Sequence, residues 1–103
     1  MEKSETVFSH SKETMTVDEM KQGIITSNYA ISHAVITLTD KDGTVLLSKT
    51  AFCTKANEKE FSLGSCLYPS QLSTLAKESP SITVTCRLST GEIPAVYQGT
   101  LIP

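Results

Sequence analysis

The stretch Ser81-Ile82-Thr83-Val84-Thr85-Cys86-Arg87-Leu88 alternates apolar and polar residues without a break. Only an extended strand sends successive side chains to opposite faces, so this pattern predicts a β-strand with Ile82, Val84, Cys86 and Leu88 on a core and Thr83, Thr85 and Arg87 on the other face. One such strand has no stability alone and needs paired neighbours. The chain supplies one at once: Ser89-Thr90-Gly91-Glu92-Ile93-Pro94 turns it, and residues 95–102 return it as the second arm of a hairpin. A second hairpin is written earlier. Ala34-Val35-Ile36-Thr37-Leu38-Thr39 runs into Asp40-Lys41-Asp42-Gly43 and resumes from Thr44 to Cys53, with Asp at the turn start and Gly where a positive φ is needed.

The intervening segments are shorter. Thr16-Val17-Asp18-Glu19 is a capping-box pattern that predicts a helix of one or two turns ending near Gly23. Ile24 to Ile31 reads as a strand interrupted at Ser27-Asn28, and Phe61-Ser62-Leu63 as a brief strand. Pro69 or Ser70 opens a second helix carrying Leu72, Leu75 and Ala76, which Ser79-Pro80 closes. Residues 1–15 are polar apart from Val7-Phe8, which fits either a short edge strand or part of an arm; the segment is expected to form a mobile N-terminal arm, with 16–103 a single β domain. The 13 Ser and 14 Thr fit this picture, because Thr suits a half-buried pleated surface and Ser competes with helix. The expected fold is mainly β, a small antiparallel β-sandwich of immunoglobulin-like type with one or two short helices in connections; a small β-barrel is the alternative.

The ending, from Ile82-Thr83-Val84-Thr85-Cys86-Arg87-Leu88 through the Gly91 turn to Val96-Tyr97-Gln98-Gly99-Thr100-Leu101, looks like the final hairpin of small immunoglobulin-like domains found in bacteriophage virion proteins and bacterial surface proteins. The resemblance covers the C-terminal part of the chain. It implies the fold and carries over no functional residue.

Several function classes lose support. Net charge is −2 and the basic residues are scattered from Lys3 to Arg87, whereas phosphate binding needs a concentrated basic face. Nucleic acid is therefore not an expected partner. The longest apolar runs are triplets such as Val45-Leu46-Leu47, far short of the roughly 20 residues of a membrane helix, so no membrane span is expected. Residues 1–6 lack a signal-peptide core, which predicts a cytoplasmic or virion protein if Met1 is native and an extracellular one if the chain is a mature form. Three cysteines, Cys53, Cys66 and Cys86, leave at least one without an intramolecular partner, and their spacing is not that of a zinc site. Asp40-Lys41-Asp42-Gly43 lacks the further oxygen ligands of a calcium loop. Cys66 with His33 is the nearest approach to a nucleophile and base, without a supporting motif. No catalytic residue, metal or cofactor is assigned.

What remains is a non-enzymatic protein-binding or assembly module, of the phage virion or bacterial surface type, with a protein partner or self-association; the alternative is a small cytosolic regulator or immunity-type inhibitor protein. Strand 95–102 ends the sequence and has no internal charge or proline to guard it, so Val96, Gln98 and Thr100 are the candidate edge-strand contacts, unless an earlier strand returns to cover them. Tyr68, directly before Pro69, is the candidate exposed aromatic.

Overall fold

A computed structural model describes residues 5–53, 57–65 and 67–103. In chain order these form β1 (Thr6–Phe8), β2 (Thr14–Thr16), α1 (Val17–Lys21), β3 (Ile24–Ser27), β4 (Ile31–Thr39), β5 (Val45–Phe52), β6 (Glu60–Ser62), a 3-10 turn (Leu63–Ser65), α2 (Pro69–Ala76), β7 (Ser81–Leu88) and β8 (Ala95–Ile102). The protein is mainly β. Its strands make two sheets, one of three strands in the order β1-β3-β6 and one of five in the order β2-β8-β7-β4-β5. Neither closes on itself, so the barrel alternative is overturned.

The alternation that defines β7 is borne out. Ile82, Val84 and Cys86 are wholly buried and Leu88 nearly so, while Thr83 and Thr85 are half-buried and Arg87 is exposed. In register with them, Ala34, Ile36 and Leu38 of β4 and Tyr97 and Leu101 of β8 turn to the same face. That face is closed by Met20 of α1, Ile25 of β3, Phe61 of β6, Leu63, Leu67 and Leu72 and Ala76 of α2, which join it in one core. Each fully buried Leu or Ile adds about 1.5–3 kcal/mol of transfer free energy. The opposite face of the large sheet is lined largely by hydroxyls, among them Thr37, Ser48, Thr50, Thr83 and Thr85: Thr37 pairs with both Ser48 and Thr83, while Thr50 and Thr85 flank Val35.

Local chemistry sets the connections. Asp40 Oδ1 accepts the N–H groups of Asp42 and Thr44, each at 2.9 Å, and Gly43 takes φ +83°, a left-handed conformation that a side chain would strain. Thr16 and Glu19 complete the expected capping box, Glu19 N–H donating to Thr16 Oγ1 and Thr16 N–H to the Glu19 carboxylate. The strand beginning β4 starts at Ile31, earlier than its alternation suggests, because Ile31 N–H donates to the Glu58 carbonyl at 2.7 Å and ties the strand to the segment before β6.

The expectation of an arm over residues 1–15 is corrected for the described part of it. Residues 6–8 pair antiparallel with β3, residues 14–16 pair with β8, and Met15 is wholly buried. Val7-Phe8 thus takes the short-strand alternative, whereas residues 14–16 show no sign of a strand in the sequence, since three residues with a single core side chain carry no period.

Candidate functional site

The expected edge lies elsewhere. β8 is not an outer strand: β7 pairs along one side of it, and β2 pairs along the other in parallel, with Thr14 opposite Thr100, Met15 opposite Leu101 and Thr16 opposite Ile102. Thr100 N–H donates to the Glu13 carbonyl at 2.9 Å, and the Tyr97 hydroxyl donates to the Lys12 carbonyl at 2.7 Å. Gly99 permits this approach, because a Cβ there would strike the Glu13 carbonyl and the Tyr97 ring. Of the three residues expected to offer contacts, Gln98 is exposed, and Val96 and Thr100 are half-buried. Val96 occupies the register shift opposite Val84 and Thr85 and packs against the core. The candidate edge formed by Val96, Gln98 and Thr100 is thus covered over its C-terminal end by β2.

His10 holds the covering segment. A carbonyl only accepts, so His10 Nε2 donates to the Thr14 oxygen at 2.8 Å, and its ring meets Tyr97 edge-on at 5.6 Å between centres. Its Nδ1 lies 3.6 Å from the Glu19 carboxylate. The Thr16 backbone N–H, helped by its hydroxyl, His10 and Lys12, holds the Glu19 carboxyl below its ordinary range. Although His, Glu and Tyr stand together here, Nε2 is committed to the backbone, and the group serves as a clasp on β8.

The open edges of the five-stranded sheet are β2 and β5. Among the described residues no strand pairs with the outer side of β5, which is eight residues long. Its ladder with β4 can be phased from Cys53, whose N–H donates to the Ser32 carbonyl. In an antiparallel ladder, hydrogen-bonded pairs alternate with non-bonded ones. Ala34–Ala51, Ile36–Lys49 and Leu38–Leu47 are therefore the bonded pairs, while Ser48, Thr50 and Phe52 direct their N–H and C=O groups outward. A register shift between Leu38 and Thr39 bulges the strand at its hairpin end, which leaves 47–52 as its regular stretch.

Both faces of this edge carry an exposed aromatic side chain. Phe52 is 69% exposed and its ring meets His33 at 5.2 Å on the hydroxyl-lined face. On the core side, Tyr68 is 62% exposed and Lys49 lays its ammonium over the Tyr68 ring, 4.7 Å from the centre. Tyr68 sits there because the residue before a proline is held extended: φ is −106° and ψ 114°, and Pro69 opens α2. Sequence reasoning brought out Tyr68 but missed Phe52. The signal was available, for Phe52 falls in phase with Ser48 and Thr50, and a face carrying those hydroxyls is a solvent face.

The two described cysteines are weakly acidic thiols. Cys86 is buried and desolvation pushes its thiol up to about 11; Cys53, half-buried, is raised by desolvation with the Glu58 charge adding to it. His33 lies on the face opposite Cys86, and Cys66, the other half of the nucleophile expectation, lies outside the described residues. No helix among the described residues is long and apolar enough to cross a membrane. Comparison with protein-family models, with curated proteins and with solved structures finds no match to the chain.

Proposed function

We propose that this chain is a non-enzymatic protein-binding or assembly module on an immunoglobulin-like sandwich, and that it takes its partner along the outer side of β5. The fold part of this reading is supported by strand order: β1-β3-β6 corresponds to strands A, B and E of an immunoglobulin domain, and β8-β7-β4-β5 to G, F, C and C′. The segment before α1 divides between the two sheets, and α2 bridges the strands that would be E and F. Neither the Trp nor the inter-sheet disulfide of antibody domains is present; Ile25 and Ile36 fill the core on strands B and C, and Cys86 is buried as a free thiol.

The observation that carries the functional part is the long side of β5 that no strand pairs among the described residues, between two exposed aromatic residues. Unpaired N–H and C=O groups form a template for one more strand, and strand addition draws affinity from main-chain bonds and specificity from flanking side chains. β5 is guarded at its hairpin end by the bulge and along its regular stretch by one charge, Lys49, whose ammonium is drawn aside onto Tyr68. The partner is a protein segment in extended conformation.

A photo-crosslinking amino acid placed in turn at Ser48, Phe52 and Thr83, in the chain's own cells, tests this. Positions 48 and 52 are expected to give an adduct of one defined mass that disappears when Thr50→Pro is added, while position 83, on the sheet face away from the edge, gives none. Equal adducts at all three positions, or none at 48 and 52, would overturn the reading.

A further inference from the structure

The last row of side chains on the hydroxyl-lined face differs in kind from the rows beneath it. His33 of β4 stands opposite Arg87 of β7 on one side and Phe52 of β5 on the other. The row continues just before β8: Cys86 N–H donates to the Pro94 carbonyl and Leu88 N–H to the Glu92 carbonyl, which sets Ile93 opposite Arg87 in a non-bonded pair, where side chains lie closest. Four neighbouring lines of chain thus contribute Ile93, Arg87, His33 and Phe52 in that order. Both ends are apolar and open, Ile93 being 65% and Phe52 69% exposed, and the Phe52 ring rests on His33 at 5.2 Å. Arg87 is exposed, and among the described residues no ion pair engages it. The strand registers place no carboxylate on this face among the described residues, so the guanidinium has no opposite charge there.

We infer that this row docks an extended acidic segment of another protein, laid across the strands, in which a carboxylate is flanked two residues away on either side by apolar side chains. The inference goes beyond the β5 reading, since it uses side chains on the sheet face and not outward main-chain groups, and shares only Phe52 with it. Charge and spacing both carry it. The arginine fork matches a carboxylate in two parallel hydrogen bonds, and the His33 imidazole beside it can donate one N–H. Neighbouring strands lie about 4.8 Å apart, so Ile93 and Phe52 stand roughly 14 Å apart, with the gap between Arg87 and His33 about 7 Å from each. In an extended segment residues i, i+2 and i+4 share a face and advance about 6.7 Å per step. An apolar residue at i therefore falls on Ile93, a carboxylate at i+2 between Arg87 and His33, and an apolar residue at i+4 on Phe52. Nucleic acid does not match this row, because a polyanion needs a concentrated basic face and both ends here are apolar. An arginine beside an aromatic ring is instead the composition of protein-binding hot spots.

NMR titration of the isotope-labelled whole chain with three synthetic peptides tests this. The probes are acetyl-Phe-Ser-Glu-Ser-Leu-amide, the same peptide with Gln in place of Glu, and acetyl-Phe-Glu-Ser-Ser-Leu-amide, which turns the carboxylate to the other face. The first is expected to shift the Arg87 Nε–H signal and the amides of His33 and Phe52, and to bind about fivefold more tightly than either of the others. Arg87→Gln is expected to abolish that preference without changing the thermal midpoint, and Lys49→Gln to leave the preference in place. Equal binding of the three peptides, no shift with any of them at millimolar concentration, or a preference that survives Arg87→Gln would overturn the inference. Inorganic phosphate that reproduces the shifts at Arg87, His33 and Phe52 would overturn it as well, by reducing the row to a simple anion site. Shifts confined to Ser48, Thr50 and Phe52 would overturn it while leaving strand addition at β5 standing.

Discussion

One hydrogen atom at Gly99 decides where the sheet ends. Its Cα lets the chain at Glu13 approach until Thr100 N–H bonds the Glu13 carbonyl, and Met15 then enters the core. A methyl group would meet backbone on one side and the Tyr97 ring on the other, neither of which is a flexible end that can swing away. Gly99→Ala is therefore expected to lower stability by roughly 1–3 kcal/mol, as overpacking does, and to loosen residues 12–16 first. Urea unfolding measures the first effect, and faster amide exchange at Thr100 the second; a variant with unchanged midpoint and an unchanged Thr100 would mean that β2 is not held through this contact. The same residue explains why the expected contacts at Val96, Gln98 and Thr100 fall elsewhere: glycine in a strand pattern signals close approach of another backbone, a signal that the pattern of a returning hairpin arm hides.

At the level of elements, the strong local signals were legible and the long-range pairings were not. Both hairpins, the capping box and the proline-opened α2 follow from residues within a few positions of one another, through side-chain alternation, turn chemistry and capping. β1, β2 and β6 are three residues each, too short for a period to appear; β6 shows only as the brief strand at Phe61-Ser62-Leu63, and the distant partners of all three are not legible. The candidate site divides likewise. Tyr68 was legible from the restriction that Pro69 imposes, whereas the open side of β5 depends on which strands fail to return to it. The capping box offers a test at this scale. Glu19 has its carboxyl lowered chiefly by the Thr16 N–H, so its ionised form is favoured in the folded chain: the stabilisation is present above the ordinary value of 4.5 and is lost as pH falls through the lower folded value. Solvent screens an exposed group of this kind, so the effect is modest. Glu19→Gln is expected to flatten the fall in thermal midpoint below about pH 4.5 relative to wild type, with His10 released from its carboxylate at the same time; parallel curves for the two proteins would contradict this.

Taken whole, the molecule has one sheet face committed to the core, one lined by hydroxyls, and two ends that differ in kind. β2 is short and abuts α1, so little backbone is left open there. β5 has six regular residues, three of them with outward-facing main-chain groups, and an exposed aromatic on each side. The central claim is that the docking edge is β5 and that β8 is an inner strand over its last residues. Residue-resolved amide hydrogen exchange in dilute solution tests it most directly. The account predicts slow exchange at Lys49 and Ala51, whose N–H groups bond β4, slow exchange at Thr100, bonded to Glu13, and fast exchange at Ser48, Thr50 and Phe52. Protection at Thr50 together with rapid exchange at Thr100 would contradict it.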